Sequence, residues 1–344
     1  MLDERKLMVL YAVIKSYIES AEPVGSRTLS KNYELGVSSA TIRNEMSDLE
    51  ELGYLSKPHS SAGRVPSDKA YRLYVDQLLK LNMAPMDDIY NRKIKEILAR
   101  ESWNMEDLIQ SSAKILSAIT NYTSLVATPK LKGSHIKQLQ MVPIDGVGVL
   151  TVIVCNNGLI KNSIYKTDYG ISQDELNMIS NYLYHQFKDK TLDDILKILN
   201  QGRIVLYQFD DDFLKGLLNA LTDVIKELIT IELYSEGITN ILNFPEYKDI
   251  EKAKSFLSFI EDKELLINIL QNTALSDDID IIIGQENIYS PIKDISIITA
   301  TYTVDGKTVG KIGIIGPTRM DYLNLIRILK IFSRHVSNIL EKNV

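Results

Sequence analysis

The first 66 residues are punctuated so closely that few folds can hold them. Leu7, Leu10, Tyr11, Ile14, Tyr17 and Ile18 recur at helical spacing, which predicts a helix over residues 4–20. Pro23 and Gly25 stop it, leaving Ser26–Tyr33 as room for a short second helix with Leu29 as its main apolar contact. Gly36 and Val37 make a tight connection. Ser38 then stands where a cap belongs, opening a third helix that runs to about Leu52, and Gly53 supplies its stop. Tyr54–Lys57 reads as a strand, and Pro58–Pro66 as a hairpin of small residues. Ser67 caps a fourth helix through Tyr71, Tyr74, Val75 and Leu78.

The third helix carries the chemistry. At about 100° per residue, Ile42, Met46 and Leu49 fall on one side, and Ala40, Arg43, Asn44 and Ser47 on the other. Arginine matches the guanine edge of the major groove in a bidentate way, and asparagine matches adenine. Small neighbours let such a helix come close to the bases. The hydroxyls of Ser38, Ser39 and Thr41, with the free N–H groups of the first turn, suit backbone phosphates. In the hairpin, Lys57, His59 and Arg64 are set to reach phosphates or the minor groove. Any one of these pieces alone is more often a solvated helix face or part of a protein-interaction module. Their order is that of a winged helix-turn-helix, and it points to DNA binding through Ser38, Ser39, Ala40, Thr41, Arg43, Asn44, Ser47, Lys57, His59 and Arg64.

Charge sets limits on that reading. The 344 residues carry a net −6, whereas a DNA binder is often basic. Residues 1–80 hold eleven Lys or Arg and eleven Asp or Glu, so the excess acid lies wholly beyond them. A neutral reading unit has little non-specific grip, because that term scales with neutralised phosphates. The length asks for two or three domains. The absence of a bilayer-length apolar run, a charged start at Met1-Leu2-Asp3-Glu4-Arg5 unlike a signal peptide, and a single cysteine all lead to the expectation of a cytoplasmic protein with no membrane association.

Beyond the fourth helix, residues 82–88 read as a linker, 89–100 and 104–121 as helices, and Trp103 between them as core. An antiparallel meander follows: Ile136–Ile144, a turn at Asp145-Gly146, the apolar run Val147–Cys155, a turn at Asn157-Gly158, then Leu159–Tyr165. Ser172–Glu175 and Thr191–Asp194 match capping boxes. A helix over about 211–230 bears a broad stripe of Phe213, Leu214, Leu217, Leu218, Leu221, Val224 and Ile225, which serves equally as internal core or as a dimer surface. Residues 231–344 add a strand at Ile279–Ile283, a hairpin of Ile295–Val304 and Lys307–Ile315 around Asp305-Gly306, and a last helix over about 321–342. The class is therefore α+β and multidomain.

Enzyme signatures are missing. His59, His135, His185 and His335 are scattered, with no His-x-x-x-His or Cys-x-x-Cys. Gly146-Val147-Gly148 lacks the rest of a dinucleotide fingerprint, and Gly310-Lys311-Ile312-Gly313 lies in a strand pattern. Asp277-Asp278-Ile279-Asp280 reads as a solvated loop entering a strand rather than a metal site, and Cys155 as a buried, inert thiol. No enzymatic activity, cofactor or metal is expected. Two other functions stay open: a regulator controlled by a small effector, and an adaptor whose N-terminal unit grips protein.

Four runs carry a family resemblance: Pro23–Leu29, Ser38–Met46, Leu49–Leu55 and Pro58–Pro66. They resemble the bacterial heat-inducible transcription repressor HrcA, and the likeness extends more loosely over the whole chain. The resemblance implies a winged helix over 1–82, a GAF-like α/β domain from 83–132 and 231–344, and an inserted dimerising α/β domain with the antiparallel meander over 133–230. It also implies repression of chaperone operons by a homodimer on double-stranded DNA, at an inverted-repeat operator called CIRCE, with tuning by the GroE chaperonin. The effector-controlled alternative would place its ligand on the GAF-like domain.

Overall fold

A carboxylate starts the first helix: Asp3 accepts from the Lys6 N–H at 2.8 Å and caps α1 (Glu4–Ser20), which ends at Ala21 in the left-handed region. Leu10, Val13 and Ile14 of α1 are buried against Leu29 of α2 (Ser26–Asn32) and Ile42, Met46 and Leu49 of α3 (Ser39–Glu51). The Ser38 side chain accepts from Thr41 N–H at 3.1 Å, and Gly53 follows α3 at φ +77°. β1 (Leu55–Ser56) and β2 (Val65–Pro66) pair antiparallel, and Arg64 exchanges both backbone hydrogen bonds with Val24 at 2.8 and 2.9 Å. That approach needs glycine at position 63, where a Cβ would sit 2.5 Å from the Val24 carbonyl carbon. α4 (Asp68–Lys80) opens behind Ser67.

The computed structural model describes residues 2–59, 62–80, 88–101, 105–128, 133–144, 148–156, 159–167, 170–202, 204, 206, 209–272, 279–287, 293–304 and 307–343. Trp103, most of the linker over 82–88, and the turns at Asp145-Gly146, Asn157-Gly158 and Asp305-Gly306 lie outside these residues. The chain continues through α5 (Asp88–Glu101), α6 (Met105–Thr120) and β3 (Thr123–Ala127). Then come β4 (Ile136–Ile144), β5 (Gly148–Cys155), β6 (Ile160–Lys166), α7 (Gln173–Phe187), α8 (Leu192–Asn200) and α9 (Asp211–Ile229). Next are β7 (Leu233–Glu236), α10 (Ile250–Glu261), α11 (Lys263–Asn272), β8 (Ile279–Ile283), β9 (Ile295–Val304), β10 (Lys307–Pro317) and α12 (Tyr322–Asn343).

Five strands form one antiparallel sheet in the order β7-β3-β10-β9-β8. Alternation gives it two apolar faces. Ile298, Ala300, Tyr302, Ile312 and Ile314 meet α6 and α12 through Leu116, Leu329 and Phe332. Leu125, Ile297 and Ile315 meet α10 and α11 through Phe256, Phe259 and Leu266. The N-terminal elements share the first of these cores: Tyr71 of α4 lies 5.8 Å from Tyr322 of α12, ring to ring.

The chain leaves this sheet after β3 and returns beside it as β7, with Leu125 opposite Ser235. Between those points, β4-β5-β6 form a separate sheet. Its inner positions, Leu139, Met141, Val149 and Ile153, pack on Leu176, Ile179 and Leu183 of α7 and Leu217, Leu221 and Val224 of α9. The apolar stripe of α9 is therefore internal core, and this removes Phe213–Ile225 as a dimer surface. β5 divides by alternation. Val149 and Ile153 point inward and are buried. Leu150, Val152 and Val154 belong to the other face, where their neighbours Ile164 and Ile160 are 61% and 54% exposed.

Candidate nucleic-acid interface

The outer face of α3 is built by what its inner face buries. Ile42 and Leu49 are fully buried and Met46 nearly so, which leaves Ala40, Arg43, Asn44 and Ser47 exposed together. Glu45, at the inner edge, is buried and receives Lys6 at 2.9 Å and Arg5 at 3.5 Å. Lys6 also meets Asp48 at 3.1 Å, and its hydrogen bonds to Glu45 and Asp48 hold the ammonium well above the usual lysine range. This network fixes the roll of α3 on α1, so Arg43 and Asn44 have a defined outward direction.

The hydroxyls at the start of α3 have internal partners. Ser38 Oγ caps the helix and lies 3.0 Å from Thr41 Oγ1, and Ser39 Oγ donates to Ser26 Oγ at 3.2 Å, tying α3 to α2. Ser38 is exposed, while Ser39 and Thr41 are half-buried. A hydroxyl that caps a helix still has lone-pair and proton capacity for a phosphate.

In the hairpin, Lys57 and His59 are exposed. Arg64 differs: its side chain is 14% exposed, and its guanidinium meets Glu50 at 2.6 Å. Lys57 lies 3.7 Å from the same carboxylate. Glu50, in the last turn of α3, thus gathers both hairpin cations at the C-terminal end of the helix that carries Arg43 and Asn44. The hairpin tip at Ser60-Ser61 lies outside the described residues.

Sequence reading missed Glu50, Glu45 and Lys69. The Lys69 ammonium sits over the Tyr54 ring at 4.4 Å and donates to the Leu52 carbonyl at 2.9 Å, closing the C-terminal end of α3. Glu50 had a signal, being placed seven residues after Arg43 at the helix end. Lys69 had none, because its partner is seventeen residues away. Exposed Arg27 and Lys31 on α2 were also passed over.

Cys155 is buried, and burial pushes its thiol up to about 11, so the thiolate needed for reaction is scarce at neutral pH. Asp280 sits in β8 at 3.4 Å from Lys311, while Asp277-Asp278 lie outside the described residues. Among the described residues, no group of three or more His, Cys, Asp or Glu could hold a metal. No helix among them is long and apolar enough to cross a membrane.

The outward face of Ala40, Arg43, Asn44 and Ser47 has the chemistry with which transcription regulators read base edges in DNA. A family model described as HrcA protein C terminal domain matches residues 106–326. The heat-inducible transcription repressor HrcA of Thermoanaerobacter sp. (strain X514) is 41% identical over 347 residues, covering 98% of this chain and 97% of its own. The protein of the same name from Ruminiclostridium cellulolyticum is 43% identical over 330 residues, covering 95% and 94%. A crystal structure described as that of a hypothetical protein aligns over 100% of both chains with a TM-score of 0.72 at 23% identity, a likeness of fold alone. The chain belongs to the heat-inducible transcription repressor HrcA family, a family of repressors rather than enzymes.

Proposed function

We propose that this protein represses heat-shock chaperone operons in the cytoplasm by binding the inverted-repeat CIRCE operator as a homodimer. Residues 1–82 form the winged helix, with α3 in the major groove and Arg43 and Asn44 on base edges. Ala40 and Ser47 allow close approach. Ser38, Ser39 and Thr41 meet phosphates, as do Lys57 and His59 of the wing, and Arg27 and Lys31 on α2 extend that contact. Arg64 reaches DNA less directly, since Glu50 holds it at the wing's base. Residues 83–132 and 231–344 form the GAF-like domain, and 133–230 the inserted dimerising domain. Its open sheet face, with Leu150, Val152, Val154, Ile160 and Ile164, suits a second copy. The GroE chaperonin remains the expected tuning partner, on family grounds.

The observation that carries this reading is the pair Arg43 and Asn44, exposed side by side and backed by the fully buried Ile42 and Leu49. A mobility-shift titration on an inverted-repeat duplex tests it. Sequence-dependent binding supports the repressor, and binding no tighter than to a scrambled duplex contradicts it.

A second reading, control by a small effector, draws on an open cleft of about 730 Å³ between α10 and Lys293-Asp294, floored by Tyr247, Phe259 and Leu265. The Tyr247 hydroxyl there is buried and has no hydrogen-bond partner among the described residues. Saturable thermal stabilisation by a metabolite would favour this reading.

A further inference from the structure

The residues that open α4 alternate between two obligations. Ser67 Oγ donates to the Gly53 carbonyl at 2.7 Å, and Lys69 Nζ donates to the Leu52 carbonyl at 2.9 Å, so both hold the C-terminal end of α3. Asp68 turns the other way and accepts from the Gln285 N–H at 3.0 Å. One turn on, Arg72 forks onto Glu286, with Nε donating to Oε1 at 2.7 Å, and also donates to the Ile281 carbonyl at 2.6 Å. Glu286 in turn accepts from the Ile283 N–H at 2.9 Å. The end of β8 and the turn at Gly284–Glu286 are thus joined to the reading helix through one helical turn of α4.

The body is shaped to receive this latch. Gly284 has φ +52°, and a Cβ there would fall on the Asp68 carboxylate. A second tie lies elsewhere on the same contact: Arg319 donates to the Ile18 carbonyl at the end of α1 at 3.1 Å, pairs with Glu246, and lies over the Phe244 ring at 5.6 Å. Between the two ties, Tyr71 packs on Tyr322, whose hydroxyl lies 2.7 Å from Ser296 Oγ. Two separated ties around a buried aromatic contact block rotation as well as translation, and with the latch open the second tie and the aromatic contact leave a pivot about which α3 tilts.

We propose that Asp68 and Arg72, latched onto residues 281–286, are positioning residues that fix the direction of α3 and so set the half-site spacing that the dimer accepts. The lever is long enough to matter. A helix of 13 residues spans about 20 Å, so a tilt of about 10° at its latched end moves its other end by about 3.4 Å, one base-pair step. The proposal rests on the dimeric operator reading given above.

The test uses the full chain and a panel of inverted-repeat duplexes whose spacer is lengthened or shortened by one and two base pairs. Arg72→Ala breaks the latch from the α4 side. Glu286→Gln is milder and keeps the shape, and Gly284→Ala displaces Asp68 from the body side without removing a charge. Mass and unfolding are measured alongside, so that only folded dimers are compared. The wild type is expected to lose at least tenfold in affinity when the spacer changes. The latch variants are expected to vary less than threefold across the panel. A folded, dimeric Arg72→Ala or Gly284→Ala protein that keeps the wild-type spacing profile overturns the proposal. A wild-type profile that is itself flat, or monomeric binding, overturns instead the dimeric reading beneath it.

Discussion

Among the described residues, neither Arg43 nor Asn44 makes a side-chain hydrogen bond or ion pair. Both are exposed on α3, and the network of Glu45 with Lys6 and Arg5 orients the helix without them. Changing either to Ala is expected to cost roughly 1–3 kcal/mol of specific binding with the melting temperature unchanged. Titrations on matched and mismatched duplexes read this, and an unaltered affinity would remove α3 as the reading helix. The hairpin cations divide differently. Lys57 is exposed and Arg64 mostly covered, although both meet Glu50. Lys57→Ala is expected to weaken binding to all sequences alike and to reduce the slope of log affinity against log salt by roughly one. Sequence alone gave Arg64 the same phosphate role. Its half-buried pairing with Glu50 makes it a holder of the hairpin as well, so Arg64→Ala is expected to lower the melting temperature where Lys57→Ala does not. Equal melting curves for the two variants would contradict that division.

Local signals settled some elements and failed on others. α3 was legible because Ser38 and Gly53 are chemical end-marks, and β4-β5-β6 because turn residues separate apolar runs. β3 and β7 were not seen. Thr123–Ala127 is buried at every position, so it shows no alternation, and it follows α6 within three residues. β7 is four residues long, and its partner β3 lies more than a hundred residues back. The 3-10 turn at Gly284–Glu286, where the latch closes, has no periodicity to read. The stripe of α9 was visible, but its destination was not, since burial in a core and burial in an interface leave the same sequence pattern. The structure assigns it inward, against α7 and the three-stranded sheet. On the proposed dimeric reading, the outward positions of β5 and β6 are the surface for a second copy. Ile164→Lys is expected to give a folded monomer by sedimentation, because Ile164 is 61% exposed and lies outside the packed core of this sheet. A variant that remains dimeric would move the interface elsewhere.

At the scale of the molecule, the N-terminal elements and the five-stranded sheet share one apolar core, so the direction of α3 and the state of the body are mechanically joined. Residues 1–80 are electrically neutral, which denies a single copy much non-specific hold on DNA. Two copies on one palindrome change this, because the second contact forms at high effective concentration. On the proposed dimeric reading, heat would act on the same arrangement, because loss of the dimer or of the body would free both α3 helices from their fixed spacing. The most direct measurement titrates the full chain against an inverted-repeat duplex and against the same duplex with one half-site scrambled, with stoichiometry read by sedimentation. Two chains per duplex, with affinity falling on the order of a hundredfold when one half-site is lost, is the expected result. One chain per duplex, bound equally well to both DNAs, would contradict it.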